Sequence, residues 1–407
     1  MKATMVIPSY WGRESSVGWQ EGDAIYDHPT PLDDEGTLQR ALESTGVLED
    51  TDFTLAVLAV PTSDDIAEDV EKKVASIINK VQPHSAIELV LFGQSHLSRI
   101  HTFLEGQGRS EYIDLLKLRG YSPVRNLCLF LPHILGSEIA VLIDDDEVFE
   151  DPGFMSKTRN FVGSSVDRHE VNAVAGYYLQ PDGNYLLKKS FRPWMRYWDK
   201  YSKMDEAFEH IIGTEPRLKE TPFVFGGNMI VHRKLFTAVP FDPHVTRGED
   251  IDFLINARMF GFNFFLDNQL SIKHLAPPKS HPTWMQVRED IYRFVYERAK
   301  INSQHDVDGM RRVFPEDFDP YPGCFFRNDL EEKVEKACRL LSEEYSSKGK
   351  ETDSKESLQN SLIARTDAVP KHNPFQKLCS LQKVWKDLMD YSAQEDVSSN
   401  MRAAIGR

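Results

Sequence analysis

The sequence predicts an α/β protein: a mixed, mostly parallel sheet of the doubly wound kind, flanked by helices and followed by a helical extension. Three observations predict it. The apolar runs near residues 3–7, 53–60, 87–92 and 140–143 are continuous instead of alternating, which marks strands buried on both faces. Helical patterns lie between those runs, giving the β-α-β-α-β order of a doubly wound sheet. The fourth run, Ala140-Val-Leu-Ile143, passes directly into Asp144-Asp-Asp-Glu147. Strands of this type end at the carboxyl edge of the sheet, where open α/β sheets bind ligands. Carboxylates crowded there repel one another and cost desolvation, so something positive must offset them. A divalent cation that shares its oxygen ligands with substrate phosphates suits the place. The alternative is an acidic turn after a buried strand.

Length and composition bound the reading. The chain has 407 residues, enough for one large domain or two ordinary ones, and 41% of them are hydrophobic, which suffices for a real core. The net charge of −15 argues against a nucleic-acid partner, which needs a basic face. Cys128, Cys324, Cys338 and Cys379 are scattered without a CxxC pair, so neither a disulfide framework nor a zinc site is expected. No secretory leader and no uncharged apolar run of about 18 residues is found. A cytoplasmic protein without a transmembrane segment is expected.

Taken in order, Ala3 to Ile7 form a short strand stopped by Pro8-Ser-Tyr-Trp-Gly-Arg13, a loop suited to hold a ring or a nucleotide at the sheet edge. Residues 14–35 form a long polar loop, the kind that acts as a lid or a binding loop. Leu38 to Leu48 is a helix. Phe53 to Val60 is the second strand, and a helix to about Val81 buries Ile66, Val70, Val74, Ile77 and Ile78. Ile87 to Phe92 is the third strand, followed by a helical region over 95–118. Gly120-Tyr-Ser-Pro-Val-Arg-Asn126 opens a helix over Leu127–Leu135, and Arg125 is placed to neutralise a diphosphate or the carboxylates.

Beyond the acidic stretch, Phe154 starts a helix and Val171 to Tyr178 is a strand. Gln180-Pro-Asp-Gly183 has hairpin-turn chemistry, with Tyr185–Lys188 as the returning strand. Trp194, Trp198, Arg192, Arg196 and Lys200 suit either a sugar-stacking wall or an amphipathic helix. Thr221 to Val231 is a strand broken by Gly226-Gly227, where a ligand can approach closely. Glu249 and Asp250 stand at the start of a helix over Phe253–Phe260, where the dipole favours ionised carboxylates and a low pKa. Gly261 stops that helix. Residues 264–275 form a last edge strand carrying His274. Four regions are expected: 1–282 as the α/β domain, 283–346 as a helical extension, 347–373 as a flexible linker rich in Ser, Lys, Thr and Asp, and 374–407 as a C-terminal helical segment. The terminal helices offer a surface for oligomerisation.

The order of these motifs resembles the GT-A-fold glycosyltransferases, family-2-like. The matching stretches are Met5-Val-Ile-Pro-Ser-Tyr10, Gly120 to Asn126, Ile143-Asp-Asp-Asp146, Phe225-Gly-Gly-Asn-Met-Ile-Val-His-Arg233, and Phe241-Asp through Gly248-Glu-Asp-Ile-Asp252 to His274. The resemblance covers about residues 3–276. It implies a nucleotide-diphospho-sugar donor, a divalent metal (Mg²⁺ or Mn²⁺) and an acceptor hydroxyl on a sugar, a small molecule or a lipid-linked group: a hexosyltransferase. Asp144 and Asp146 match the family's DxD motif. By that match Asp146 binds the metal, Asp144 reaches the metal or the ribose, and Asp145 lies near the sugar. His274 matches a late metal-binding histidine, and Arg125 an arginine facing the donor. Pro8 and Tyr10 match the loop holding the base, and Gly227 lies in the glycine pair that admits the donor. Asp250 matches the general base of inverting members, with Glu249 orienting it or bonding the acceptor. The second strand ends Ala59-Val-Pro-Thr62, without the family's base-reading aspartate, and Asp64 is displaced. The 14–35 loop is longer than usual in the family. The alternatives are a sugar-phosphate nucleotidyltransferase and a non-catalytic GT-A-like scaffold.

Overall fold

The computed structural model describes residues 1–166, 169–278 and 281–407. Its strands are β1 (Ala3–Gly12), β2 (Thr54–Pro61), β3 (Glu88–Phe92), β4 (Ile139–Ile143), β5 (Ala173–Leu179), β6 (Leu218–Glu220), β7 (Asn228–His232) and β8 (Phe264–His274). They lie side by side in the order β6-β8-β5-β7-β4-β1-β2-β3, with the two-residue strands Thr30–Pro31 and Glu147–Val148 paired to β1 and β8. β3, β2, β1 and β4 are mutually parallel, β7 runs antiparallel between β4 and β5, and β8 is parallel to β5. This is the mixed, mostly parallel sheet that the continuous apolar runs predict.

Burial on both faces explains those runs. Met5, Ile7, Leu55, Val57, Val141 and Ile143 join one core, while Val6, Ala56, Leu58, Ala140 and Leu142 join the other. Helices α1 (Leu38–Ser44), α2 (Ala67–Val81) and α5 (Phe154–Phe161) cover the first face. On α2, Val70, Val74, Ile77 and Ile78 are buried as the helical spacing requires. Helices α3 (Gln94–Gly106), α4 (Tyr121–Ile134), α6 (Lys200–Ile211) and α7 (Glu249–Met259) cover the second.

Several boundaries differ from expectation, each for a local reason. β1 continues through Pro8 to Gly12, because its ladder with β4 ends at Val6–Leu142 and leaves a one-sided strand there, where proline is tolerated. α4 starts at Tyr121, so Arg125 lies inside the helix and not ahead of it. Residues 185–188 make no return strand, since β7 and β8 already occupy both sides of β5. β7 begins only after Gly226-Gly227. β8 is not the edge, because β6 pairs outside it, and its register shifts between Leu266 and Ser271. Trp194 and Trp198 are buried, Trp198 against Phe294 and Phe325, and therefore form no sugar wall.

The extension consists of α8 (Thr283–Asn302), α9 (Leu330–Ser347), α10 (Glu351–Ile363), α11 (Pro374–Ser392) and α12 (Glu395–Ala404). The expected linker at 347–373 thus holds a helix. Its buried face is Ser354, Ser357, Asn360 and Ile363, spaced by three, and three of the four are polar. Ser354 hydrogen-bonds Ser342 of α9, and Asn360 donates to the Trp284 carbonyl and accepts from Arg288 of α8. A face held by side-chain hydrogen bonds has linker-like composition. Among the described residues no helix is long and apolar enough to cross a membrane.

Helix α11 docks through Trp385, whose indole donates to the Phe236 carbonyl at 2.9 Å, and through the Met389 carbonyl, 2.9 Å from His133 Nε2 on α4. Arg233 Nη2 lies 3.3 Å from His133 Nδ1. Burial, aided by Arg233, depresses the His133 pKa to about 4. The folded imidazole therefore stays neutral while the unfolded one takes a proton below its ordinary value of 6.5. Stability is expected to fall as pH drops from about 6.5 to about 4, by on the order of 2–3 kcal/mol. Urea unfolding at pH 7.5 and 5 measures this. His133→Gln should flatten that part of the profile, and an unchanged slope would assign it elsewhere.

Candidate active site

The acidic stretch follows β4 at the carboxyl edge of the parallel strands, as its sequence predicts. The three aspartates point to three different partners. Asp144 Oδ1 accepts from Arg125 Nη2 at 2.7 Å. Asp145 Oδ2 accepts from the Ser9 hydroxyl of β1 at 2.6 Å, and Ser9 Oγ also accepts from Trp11 Nε1 at 2.9 Å. Asp146 Oδ2 lies 3.4 Å from His274 Nε2 at the end of β8. The fourth acid, Glu147, is fully buried, and its Oε2 accepts the Asp144 backbone N–H at 3.0 Å.

Arg125 is the positive centre. It is 3% exposed and, besides Asp144, its Nε reaches Glu249 Oε1 at 3.3 Å. Helix α4 therefore joins β4 to the start of α7 through one guanidinium, whose planar fork suits two carboxylates. The short strand at Glu147–Val148 and the register shift in β8 bring His274 to Asp146. Tyr178 of β5 stacks on His274 at 4.8 Å, and its hydroxyl accepts the Gly227 N–H at 2.8 Å.

The glycine pair is sterically required. A Cβ on Gly227 would lie 2.3 Å from Glu147 Oε1 and 2.6 Å from Asp144 Oδ2. A Cβ on Gly226 would lie 3.0 Å from Arg125 Nη2, and its N–H donates to Asp250 Oδ2 at 3.1 Å. The other Asp250 oxygen accepts its neighbour Ile251 N–H at 2.8 Å. The base candidate is thus held by two backbone donors, one on each oxygen.

Helix α7 starts at Glu249, four residues before the expected Phe253. Its N-cap, Gly248, takes a left-handed φ of 72°, and a Cβ there would collide with Arg293 of α8. The expectation of low pKa values at this helix start is corrected. Burial pushes Glu249 up to about 7 and raises Asp250 as well, against the opposing charges of Arg125 and Arg293. A helix N-terminus contributes only about 0.3–1 kcal/mol, whereas full burial disfavours a charged carboxyl by several times that. Desolvation wins. It also pushes Asp145 up to about 8, with the Asp146 charge adding to the shift, and lifts Glu147 well above the usual carboxylate range.

The remaining candidates are placed differently. Pro8 and Tyr10 lie within β1 and not in a loop, and the Tyr10 ring is buried against Tyr26 and Tyr121 at 4.5 and 5.3 Å. The neighbouring cavity of about 610 Å³ is lined from Gly12 onward, by Arg13, Tyr26, Thr37 and Thr62 among others. The long 14–35 loop forms much of its wall. Arg13 of that wall is held by Asp23 at 3.0 Å and Asp65 at 2.7 Å. Sequence reasoning missed Tyr178, Ser9 and Arg293 as parts of the site. Only Ser9 carried a signal, through its place beside the first strand.

Among the described residues no group of three or more His, Cys, Asp or Glu is arranged to hold a metal ion. The Asp146–His274 pair offers two donors. Three further polar atoms of the site, Arg125 Nη1, Tyr10 Oη and Glu147 Oε1, are buried without a hydrogen-bond partner. The Asp146–His274 pair fits a cation completed by water and phosphate oxygens, and the unpartnered Arg125 N–H fits a phosphate oxygen as acceptor.

Two outcomes are expected here. Gly227→Ala should destabilise the fold by roughly 1–3 kcal/mol through overpacking against Glu147 and Asp144, which thermal unfolding reads directly. Glu249→Gln tests the burial argument. Because the folded pKa is about 7 against an ordinary 4.5, wild-type stability from this group is full at low pH and lost as pH rises through 7. The variant should melt above wild type at pH 8.5, with the gap closing by pH 4.5. Equal melting at pH 8.5 would mean that pairing with Arg125 balances burial.

No protein-family model matches the chain, and no curated protein matches it in sequence. Solved structures similar to the chain include the following three. The mannosyltransferase PcManGT from Pyrobaculum calidifontis, in complex with GDP-Man and Mn²⁺, is 13% identical, with 97% of this chain and 87% of that chain covered and a TM-score of 0.45. A mycobacterial protein is 16% identical over 72% of each chain, with a TM-score of 0.40. GalNAc-T7 with UDP, GalNAc and Mn²⁺ is 12% identical, with 75% of this chain and 52% of that chain covered and a TM-score of 0.35.

Proposed function

We propose that the chain is a metal-dependent glycosyltransferase that moves a sugar from a nucleotide-diphospho-sugar to an acceptor hydroxyl with inversion. The observation that carries this reading is the convergence at one sheet edge of the Asp146–His274 pair, the Arg125–Asp144–Glu249 cluster and the two-donor cradle of Asp250. Transfer needs a neutralised leaving group, an activated hydroxyl and alignment of the two. Asp146 and His274 would hold Mg²⁺ or Mn²⁺, with Asp144 turned to the donor. A bound divalent cation supplies Lewis-acid neutralisation of the diphosphate. Arg125, buried beside Asp144, adds fixed positive charge for the donor.

Asp250 takes the acceptor proton. Its carboxylate is held by Gly226 N–H and Ile251 N–H, so its orientation costs no reorganisation at the moment of transfer. Burial raises its pKa, which makes it a stronger base than an exposed aspartate. The acceptor oxygen attacks the anomeric carbon as the carbon–oxygen bond to phosphate breaks, and the proton passes to Asp250. Glu249, paired to Arg125, positions the helix start. The cavity from Gly12 to Thr62 suits the nucleotide, and the 14–35 loop in its wall suits recognition of donor or acceptor.

The nucleotidyltransferase alternative needs a basic loop after β1 free to grip phosphates, and Arg13 there is occupied by Asp23 and Asp65. All four cysteines are unpaired, which suits the reducing cytoplasm.

Calorimetry with a panel of nucleoside diphosphates and their sugars, with and without Mn²⁺, tests the reading. One nucleotide should bind in a metal-dependent way to wild type and lose at least tenfold in affinity in Asp146→Ala. Asp250→Asn should keep that binding and lose about 10²–10⁴ in turnover. If no nucleotide binds under any metal condition, the glycosyltransferase reading fails.

A further inference from the structure

A second cavity, of about 750 Å³, opens where the 14–35 loop, the start of α4, residues 243–246, α8 and the C-terminal segment 367–377 meet. That volume is in the range of small-molecule sites. Its floor is apolar and largely aromatic, with Tyr121, Pro123, Val245, Tyr292 and Tyr296. Its rim carries Arg119, Lys371 and Lys377. Three cations around one apolar hollow stand out on a chain of net charge −15.

The rim lysines are available. Lys377 Nζ lies 3.1 Å from His244 Nε2, and His244 Nδ1 lies 3.0 Å from Asp242 Oδ1. An imidazole donating to Asp242 offers Lys377 a single lone pair, so two ammonium hydrogens remain. Neither Lys371 nor Lys377 pairs with a carboxylate among the described residues. The acids of the cavity are Glu289 and Asp367. Glu289 accepts from the Thr246 hydroxyl at 3.3 Å, and burial raises its pKa.

The cavity is separate from the candidate active site. None of its lining residues belongs to the Asp146–His274 pair, the Arg125 cluster or the Asp250 cradle, and a small pocket of about 10 Å³ lined by Ile25, Asp27, Tyr121, Arg247 and Glu289 adjoins it. Within it the Arg247–Asp27 ion pair closes at 2.9 Å. Asp27 belongs also to the first cavity, and Tyr121 to the second.

We propose that this hollow is a binding site for a phosphate-bearing amphiphile: an aromatic or aliphatic phosphomonoester whose body lies on the tyrosine floor and whose phosphate sits between Lys371 and Lys377. Both parts are needed. The floor alone would hold a neutral ring weakly, and the two lysines alone would hold phosphate weakly.

Titration calorimetry with 1-naphthyl phosphate, 1-naphthol and inorganic phosphate tests this on the full chain. The phosphomonoester should bind with 1:1 stoichiometry and at least tenfold more tightly than either fragment. The double variant Lys371→Ala/Lys377→Ala should lose at least tenfold for 1-naphthyl phosphate and keep its affinity for 1-naphthol. Tyr292→Ser should weaken both naphthyl ligands. Asp146→Ala should leave 1-naphthyl phosphate binding unchanged, which separates this site from the donor site whatever the fate of the transferase reading. Binding lost in Asp146→Ala, binding unchanged in the double lysine variant, or affinity no better than that of inorganic phosphate would each overturn the proposal.

Discussion

One buried guanidinium holds the candidate site together. Arg125 bridges Asp144 after β4 and Glu249 at the start of α7, and little of it reaches solvent. Six acids, Asp144 to Glu147 with Glu249 and Asp250, converge at this sheet edge. Removing a single partner of a buried charge pair costs about 3–5 kcal/mol, because the remaining charge stays desolvated. Burial and the neighbouring aspartate charges raise the pKa values of Asp145 and Glu147, acids beyond Arg125's reach. The edge is thus poised for added positive charge: six acids face two fixed cations, Arg125 and Arg293, and one buried carboxyl oxygen, Glu147 Oε1, has no hydrogen-bond partner.

The helical extension belongs to this arrangement. Arg293 of α8 packs where a side chain on Gly248 would be, immediately before Glu249 and Asp250, and its Nη2 donates to Tyr321 at 2.8 Å. Lys300 of the same helix is fully buried between Asp252 at 2.6 Å and Asp242 at 3.0 Å. Two cations from α8 therefore anchor both flanks of the α7 start. The extension and the sheet share one continuous hydrophobic core, completed by Trp385 and Met389 of α11.

Much of this was legible in the chain. Continuous apolar runs on β1, β2 and β4 predict burial on both faces, because residues that alternate between two cores must all be apolar. The acidic stretch after β4 fell at the sheet edge because parallel strands end there together. Helix α10 was illegible for a specific reason: Ser354, Ser357 and Asn360 are buried through hydrogen bonds, and polar residues at helical spacing look like solvated linker until their partners are known. The hairpin expected after β5 failed because local turn chemistry says nothing about which strands already flank it.

The sequence by itself determined the parallel core of the sheet and the position of Asp144 to Asp146 at its carboxyl edge, since period and strand direction are local properties, whereas the crowding of Gly226 and Gly227 by Asp144, Glu147 and Arg125 came from the tertiary structure. Only the tertiary structure decided which aspartate meets which partner, that Arg293 arrives from a helix more than 40 residues after Asp250, and that Glu249 and Asp250 have raised pKa values. Those outcomes depend on burial and on charges brought together from distant segments. Desolvation of this size appears only when the whole fold excludes water from the site.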